Sequence, residues 1–475
     1  MNWKNNSRPA QHWKHLTFDN KDIVQCQLCP RTCLIPNDTF GFCGVRGSID
    51  NVLHTFNFGK SVAATEENIE TEAIFHYAPG ARILSLGNIG CMMNCDFCQN
   101  WETSQVKFLD DKVVHSYSPD DIITLCKESG ISIISWTYQD PVVWHEFVLE
   151  TSKIARVNGI KTIYKSALYI QEAPLNELID CIDIFSISLK SMSEKFYKKY
   201  TKADLLPILD RIVQIHQSTC HLEISQLLVT GLNDTQHDVQ KTIDWVINTI
   251  GKNVPLHFVG FHPAYKFTDV SRTPLSTLLS AQKIAVNAGI RYCYLGNVFE
   301  NNINNTHCLE CGAVLVKRYG LNSRVTNINS DNTCTICGAK TPFKFPLLNK
   351  NKSYRNKQRS SNFVNEFEEI SIYWKDSINS VHISLDHTRR ITSFDTITFT
   401  VTRLNTKIDE ILYFEHGMNR KIISRKDSHE IGIKIKYPKY KDIKIMKILD
   451  RAHFPVNIKY NYSTKRKQEY IDANK

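Results

Sequence analysis

The sequence predicts an α/β fold, a parallel sheet rolled into a full or partial (β/α) barrel, and two observations carry that expectation. Between Ala81 and Asn297 six short apolar runs alternate with six amphipathic stretches. Glycines also stand where the helices should end, at Gly130, Gly159 and Gly289. The strand candidates are 82–86, 131–136, 161–165, 183–189, 222–229 and 255–261. The helices between them are 119–128 (with Ser118 as N-cap), 142–158, 174–181, 204–216, 235–250 and 274–288. Short buried strands followed by helices form a parallel sheet, and in such barrels chemistry collects at the C-terminal ends of strands.

Beyond Asn297 the pattern changes. Residues 301–345 hold two Cys-x-x-Cys-Gly knuckles and little core-forming sequence. A linker rich in Lys, Arg, Asn and Ser follows, and then strand-like runs at 370–374, 381–385, 397–404, 411–416, 431–437 and 455–460. Turn signals about every ten residues predict a small all-β domain. The expected division is 1–75 as a cysteine-bearing extension, 76–300 as barrel, 301–345 as a zinc-ribbon-like segment, 346–363 as linker and 364–475 as the β-rich domain.

A chain of 475 residues exceeds one compact core. Its hydrophobic content of 42% and charged content of 22% are ordinary for a globular protein. The first twenty residues lack the apolar core of a secretory leader, and nowhere do about 18 apolar residues run together. A cytoplasmic location without membrane contact is the expectation. Of the 58 Lys/Arg and 48 Asp/Glu, 26 and 15 fall at Lys350 or beyond, so the net charge of +10 belongs to the C-terminal part. There Lys434, Lys436, Lys439, Lys441, Lys444 and Lys447 alternate with apolar residues, as on the solvated face of exposed strands. Contact with nucleic acid is the less expected use of that charge.

Eleven of the fifteen cysteines fall in three tight groups. Disulfide partners do not cluster in this way, whereas metal ligands do. Cys126, Cys181, Cys220 and Cys293 stand singly in apolar stretches and read as buried thiols. Cys91-Met-Met-Asn-Cys95-Asp-Phe-Cys98 directly follows the first barrel strand. Three thiolates at this spacing can cap three irons of a [4Fe-4S] cube and leave the fourth open to a ligand. Cys26, Cys29, Cys33 and Cys43 close a second site, for structural zinc in the first place with an auxiliary [4Fe-4S] cluster as the alternative, expected to staple a segment with little core of its own. Cys308, Cys311, Cys334 and Cys337 make a zinc-ribbon pattern.

The Cys-x-x-x-Cys-x-x-Cys spacing, with Phe97 before the last cysteine, resembles the signature of the radical S-adenosylmethionine (SAM) superfamily. More narrowly, Phe75-His-Tyr-Ala-Pro-Gly80, Cys98-Gln-Asn-Trp101, Ser104-Gln105 and Thr137-Tyr-Gln-Asp-Pro141 resemble the radical SAM enzyme of the "AmmeMemoRadiSam" system. Pro255-Leu-His-Phe258, Phe261-His-Pro263 and Gly296-Asn-Val298 do so too. That group is similar to pyruvate formate-lyase activating enzymes, and the resemblance spans roughly residues 20–343.

The resemblance implies a partial (β/α)6 barrel and a cluster that cleaves SAM to a 5′-deoxyadenosyl radical. That radical abstracts hydrogen from an unassigned substrate, protein or small molecule. An electron donor such as flavodoxin or ferredoxin is implied as partner. Gln139 and Asp140 stand where the family has Asn-Glu for the SAM amino group, and Ser188-Leu-Lys190 where Asp-Leu-Lys is usual. Lys165-Ser-Ala167 replaces Thr-Asn-Gly, the largest departure. His257, read as lying at the end of the sixth strand, is a SAM-contact candidate, while His262 and Tyr265 are candidates for the substrate end. From another class, a nucleic-acid-binding zinc protein with a degenerate barrel is the alternative, resting on the departures at Ser188 and Ser166.

Overall fold

The computed structural model describes residues 6–19, 21–298 and 302–344, and the backbone of seven strands between Phe367 and Leu449. The chain forms two compact units, Met1–Pro346 and Leu347–Lys475.

The first unit is built on a nine-stranded sheet. Strand β1 (Lys60–Asn68) runs antiparallel to β2 (Arg82–Asn88), and the short strand His115–Ser116 borders β1. From β2 onward each strand lies parallel to the one before it. These are β3 (Ile133–Thr137), β4 (Lys161–Ser166), β5 (Ile184–Leu189), β6 (His221–Leu228), β7 (Leu256–Gly260) and β8 (Cys293–Gly296). All six predicted strands are present, because continuous apolar runs between glycine-capped helices can be buried on both faces only in a parallel sheet. The four-residue β8 extends that sheet beyond the expected six.

The helices follow their predicted positions. Helix α1 (Pro119–Ser129) opens with a full capping box: the Ser118 hydroxyl accepts from the Asp121 amide at 3.2 Å, and the Asp121 carboxylate accepts from the Ser118 amide at 2.7 Å. Ser118→Ala is expected to lower the stability of this unit by about 1 kcal/mol, read by chemical denaturation. The predicted 142–158 helix divides into a 3-10 turn (Pro141–Trp144) and α2 (His145–Val157). Pro141 has no N–H to give, and the Asp140 carboxylate accepts the Val142 amide at 3.2 Å instead. Trp136, Trp144 and Phe147 pack ring on ring beneath this turn, and all three are buried.

Residues 1–75 do not stand apart from the sheet, since β1 pairs along the whole of β2. The extension also has a core: Val24, Leu28, Ile35, Val45 and Leu53 are buried in the main cluster. That core is shared with the barrel, while Leu34, Phe40 and Phe42 stay exposed. After β8 a three-stranded antiparallel sheet (Thr306–His307, Val314–Tyr319, Asn322–Val325) carries the last cysteine group. Arg318 fastens it. The guanidinium donates to the Phe75 carbonyl at 2.8 Å, the Asn304 carbonyl at 2.9 Å and the Thr306 hydroxyl at 2.7 Å, over the Phe75 ring.

The second unit consists of antiparallel strands. Phe367–Tyr373, Gly432–Pro438, Ile397–Leu404 and Asp409–Phe414 form one sheet, and Arg420–Ser424, Ser380–Ser384 and Lys447–Leu449 another. Five of the six predicted strands coincide with these, while the predicted strand 455–460 and the linker lie outside the described residues. Lys434 and Lys436 lie on the strand Gly432–Pro438. Among the described residues, no helix is long and apolar enough to cross a membrane.

Candidate functional site

The loop after β2 carries Cys91, Cys95 and Cys98. Gly90 turns the chain with φ of +80°, and a Cβ there would meet Val45 at 2.7 Å and the Cys43 carbonyl at 3.0 Å, so only glycine fits. Backbone bonds from outside then fix the loop. The Gly90 amide reaches Thr103, Asn94 reaches Thr201, and Asp96 reaches Tyr200. Arg31 Nε donates to the Met92 carbonyl at 2.6 Å. The Asp96 carboxylate lies between Lys202 at 3.1 Å and Lys266 at 2.9 Å. Phe97 is buried against Phe196 and Phe267.

The three cysteines are partly buried and line one cavity. Burial pushes the Cys95 thiol up to about 12, and Cys91 is also raised well above its ordinary value by burial. A metal ligated there supplies the positive charge that makes the thiolates favourable. Among the described residues, two groups of three or more ligand-type side chains bring their donor atoms within 4.8 Å of one another, and this trio is not one of them. Three thiolates held apart suit separate irons of a cube better than a single ion.

Gln139, Asp140, Ser188, Lys190 and His257 line the same cavity, as does His262. The Asp140 carboxylate accepts from the Ser166 hydroxyl at 2.8 Å and the Ala167 amide at 2.8 Å as well as from Val142. Burial raises it to about 6, against the lowering effect of those bonds. The departure at the third strand thus has a physical account: Ser166 and Ala167 are the partners of the shortened acid. Lys165 turns the other way, its ammonium donating to the Glu72 carbonyl at 3.0 Å and to Ser186 and Ser225.

Gln139 donates from Nε2 to Thr103, while its Oε1 is buried without a hydrogen-bond partner. Gly87 makes room for it, since a Cβ there would meet the Gln139 Oε1 at 3.0 Å and the Tyr138 ring at 2.9 Å. An orphaned acceptor in a cavity wall calls for a donor from a ligand. Lys190 is positioned through its backbone, with Tyr197 on its amide at 2.9 Å and Asn233 on its carbonyl at 2.6 Å.

His257 is not at the end of its strand. It is the second residue of β7, low in the sheet, with Nε2 2.8 Å from Glu223 Oε2 and its ring edge-on to Phe75. Tyr265 stacks on Trp101 and donates to Gln105 at 3.2 Å.

The polar floor beneath the cavity was not found from the sequence. Glu223 is fully buried and accepts from the Phe75 amide at 2.9 Å and the His76 amide at 2.7 Å, with His221 Nε2 at 2.9 Å. These donors, with His257, hold its carboxyl well below the usual range despite the burial that pushes it up. The signal was present: His221, Glu223 and Ser225 alternate within an apolar strand and therefore share one face. Glu72 accepts from Ser135 at 2.8 Å and Thr137 at 2.9 Å, and burial followed by the neighbouring Glu67 carboxylate raises it.

The ribbon cysteines do converge, with Cys308 and Cys337 sulfurs 3.6 Å apart and Cys311 and Cys334 sulfurs 3.8 Å apart. Zn–S bonds of about 2.3 Å in a tetrahedron place sulfurs about 3.8 Å apart, so these four fit zinc. The other converging group is His12, His145 and Glu177, with His145 Nε2 3.1 Å and His12 Nε2 3.3 Å from the carboxylate.

The sheet, the cysteine loop at a strand's end and the lined cavity define an α/β architecture with its ligand-type side chains gathered at one end of a parallel sheet. Residues 88–246 match the family model of the radical SAM superfamily, and the chain belongs to that superfamily. It is 37% identical over 335 residues to an uncharacterised protein of Methanocaldococcus jannaschii, an alignment covering 70% of this chain and 98% of that one. It is 24% identical over 115 residues to the (2S)-3-sulfopropanediol dehydratase activating enzyme of Klebsiella oxytoca, covering 24% of this chain and 36% of the enzyme. To the 4-hydroxyphenylacetate decarboxylase activating enzyme of Clostridium scatologenes it is 24% identical over 140 residues, 28% and 45% of the two chains. The chain thus spans less than half the length of either activating enzyme. Among solved structures, a domain of pyruvate-formate lyase-activating enzyme from Bacteroides vulgatus aligns with 34% of this chain and 98% of its own at 15% identity, with a TM-score of 0.31.

Proposed function

We propose that this chain binds a [4Fe-4S] cluster through Cys91, Cys95 and Cys98 and cleaves SAM reductively to start hydrogen abstraction from a substrate. The observation that carries the reading is the single cavity shared by the three cysteines and by Gln139, Asp140, Ser188, Lys190 and His257. A reduced cluster there would supply the electron that splits SAM into methionine and a 5′-deoxyadenosyl radical.

The chain's own residues bind and orient. Gln139 Oε1, buried and unpartnered, accepts from the ammonium of the methionyl moiety. Asp140 adds negative charge beside it when ionised, which its raised value allows above about pH 6. Lys190 neutralises the SAM carboxylate, and Ser188 offers a hydroxyl on the same strand end. His257, its affinity for a proton lowered by burial, forms the lower wall while Glu223 fixes its ring.

Superfamily membership and the two activating-enzyme relatives favour this reading over a degenerate nucleic-acid-binding barrel. They also make an activase-like role, hydrogen abstraction from a partner protein, the first variant to test. A flavodoxin or ferredoxin is the proposed electron donor.

Anaerobic reconstitution with iron and sulfide, then SAM and dithionite, tests the proposal. 5′-Deoxyadenosine in the product mixture is expected, and protein with neither cluster absorbance nor that product would sink it. Gln139→Leu is expected to raise the KM for SAM about tenfold, the loss of one hydrogen bond to a charged group, with iron content unchanged. A change in iron content instead would assign Gln139 to the scaffold.

A further inference from the structure

We infer that Cys26, Cys29, Cys33 and Cys43 hold a second [4Fe-4S] cluster and not a zinc ion. Two cysteine quartets in one chain allow a direct contrast. In the ribbon the four sulfurs converge within 4.8 Å, as a single tetrahedral ion requires. The N-terminal four line one small cavity together, yet they are not among the groups that converge to that distance. A cube spreads its ligands in this way, because each thiolate caps a different iron.

The local fold explains the spread. Cys26 ends a strand (Lys21–Cys26) and its amide donates to the Cys33 carbonyl at 3.0 Å, which sets the mouth of the Cys26–Cys33 loop. Cys43 enters from a separate turn between Gly41 and Gly44, where the Gly44 amide donates to the Gly41 carbonyl. Three strands pair in this segment, and Val24, Leu28, Ile35 and Val45 are buried.

Position adds a second argument. Met92, the neighbour of Cys91, lines the quartet's cavity, and Arg31 from within the quartet donates to the Met92 carbonyl. Cys43 and Cys91 line a further cavity together. The quartet therefore packs directly against the loop of the first three cysteines, where a redox-active group serves and an inert ion has no evident use.

The test does not depend on SAM cleavage. In the full chain, Cys91, Cys95 and Cys98 are all replaced by alanine, and the protein is reconstituted anaerobically. About four irons, matching sulfide and about one zinc per chain are expected, with an electron paramagnetic resonance signal after dithionite. Absence of iron, or iron without sulfide, overturns the inference, whatever the zinc content. A variant with Cys26, Cys29 and Cys33 all replaced by alanine in the otherwise unchanged chain provides the converse arm, since the three thiolates left by a single substitution could still hold a cube. Its iron should fall from about eight to about four with zinc unaltered, and unaltered iron would overturn the inference as well. Failure of the intact protein to release 5′-deoxyadenosine would count against the proposed function alone.

Discussion

Replacing Cys95 by alanine is expected to reduce 5′-deoxyadenosine formation to the level without enzyme. Cys95 is the middle one of the three proposed ligands, and their loop is held by backbone bonds to Thr103, Thr201 and Tyr200. Those bonds are independent of the sulfur, so the loop should keep its path in the variant. What is lost is a thiolate, and two remaining cysteines would leave two irons of the cube without a protein ligand. Iron bound at this site and the accompanying absorbance should disappear together with activity. Metal bound at the converging Cys308, Cys311, Cys334 and Cys337 should be unchanged, which separates a lost cluster from a lost fold. Activity within tenfold of wild type would show that this trio does not carry the chemistry.

Glu223→Gln is expected to destabilise the first unit by about 1.5–3 kcal/mol, the loss of hydrogen bonds to a buried charged group. Four donors converge on the carboxylate: two backbone amides and two imidazoles. An amide side chain offers a single oxygen and turns an NH2 toward groups that are themselves donors, leaving some unsatisfied at roughly 1–3 kcal/mol each. The measurement is thermal or denaturant unfolding across pH. A carboxylate whose folded value is depressed adds stability above its unfolded value, near 4.3, and that contribution is lost as pH falls below it. The gap between wild type and Glu223→Gln should therefore be complete above about pH 5 and close only as pH falls from there through the depressed folded value. Equal stabilities at neutral pH would contradict the network.

The parallel strands were legible because they are short apolar runs alternating with amphipathic stretches, some of them closed by glycine at Gly130, Gly159 and Gly289. The strand Cys293–Gly296 was missed because four residues carry too little periodicity to read. The cysteine groups were legible as spacing, and the cavity-wall residues through resemblance to a family. The floor was not legible as a whole, since Glu72 and Lys165 are 93 positions apart and meet only through tertiary packing. Asp140 lies between the two cases. Its helix-starting contact with Val142 is readable from Asp-Pro, whereas its bonds to Ser166 and Ala167 need the neighbouring strand. His257 was placed too high because a run of apolar residues does not reveal where the strand enters the sheet.

Arg318 has a bearing on how this protein can be subdivided. From the ribbon it reaches the carbonyl of Phe75, whose own amide is bound to Glu223, and Glu223 in turn steadies His257. Cutting the chain after the last barrel strand would strip that carbonyl of its buried partner and loosen the peptide under the cavity floor. The smallest autonomous piece is therefore expected to run through the ribbon, and stripping any metal from its four converging cysteines should register as far away as the histidine beneath the cavity.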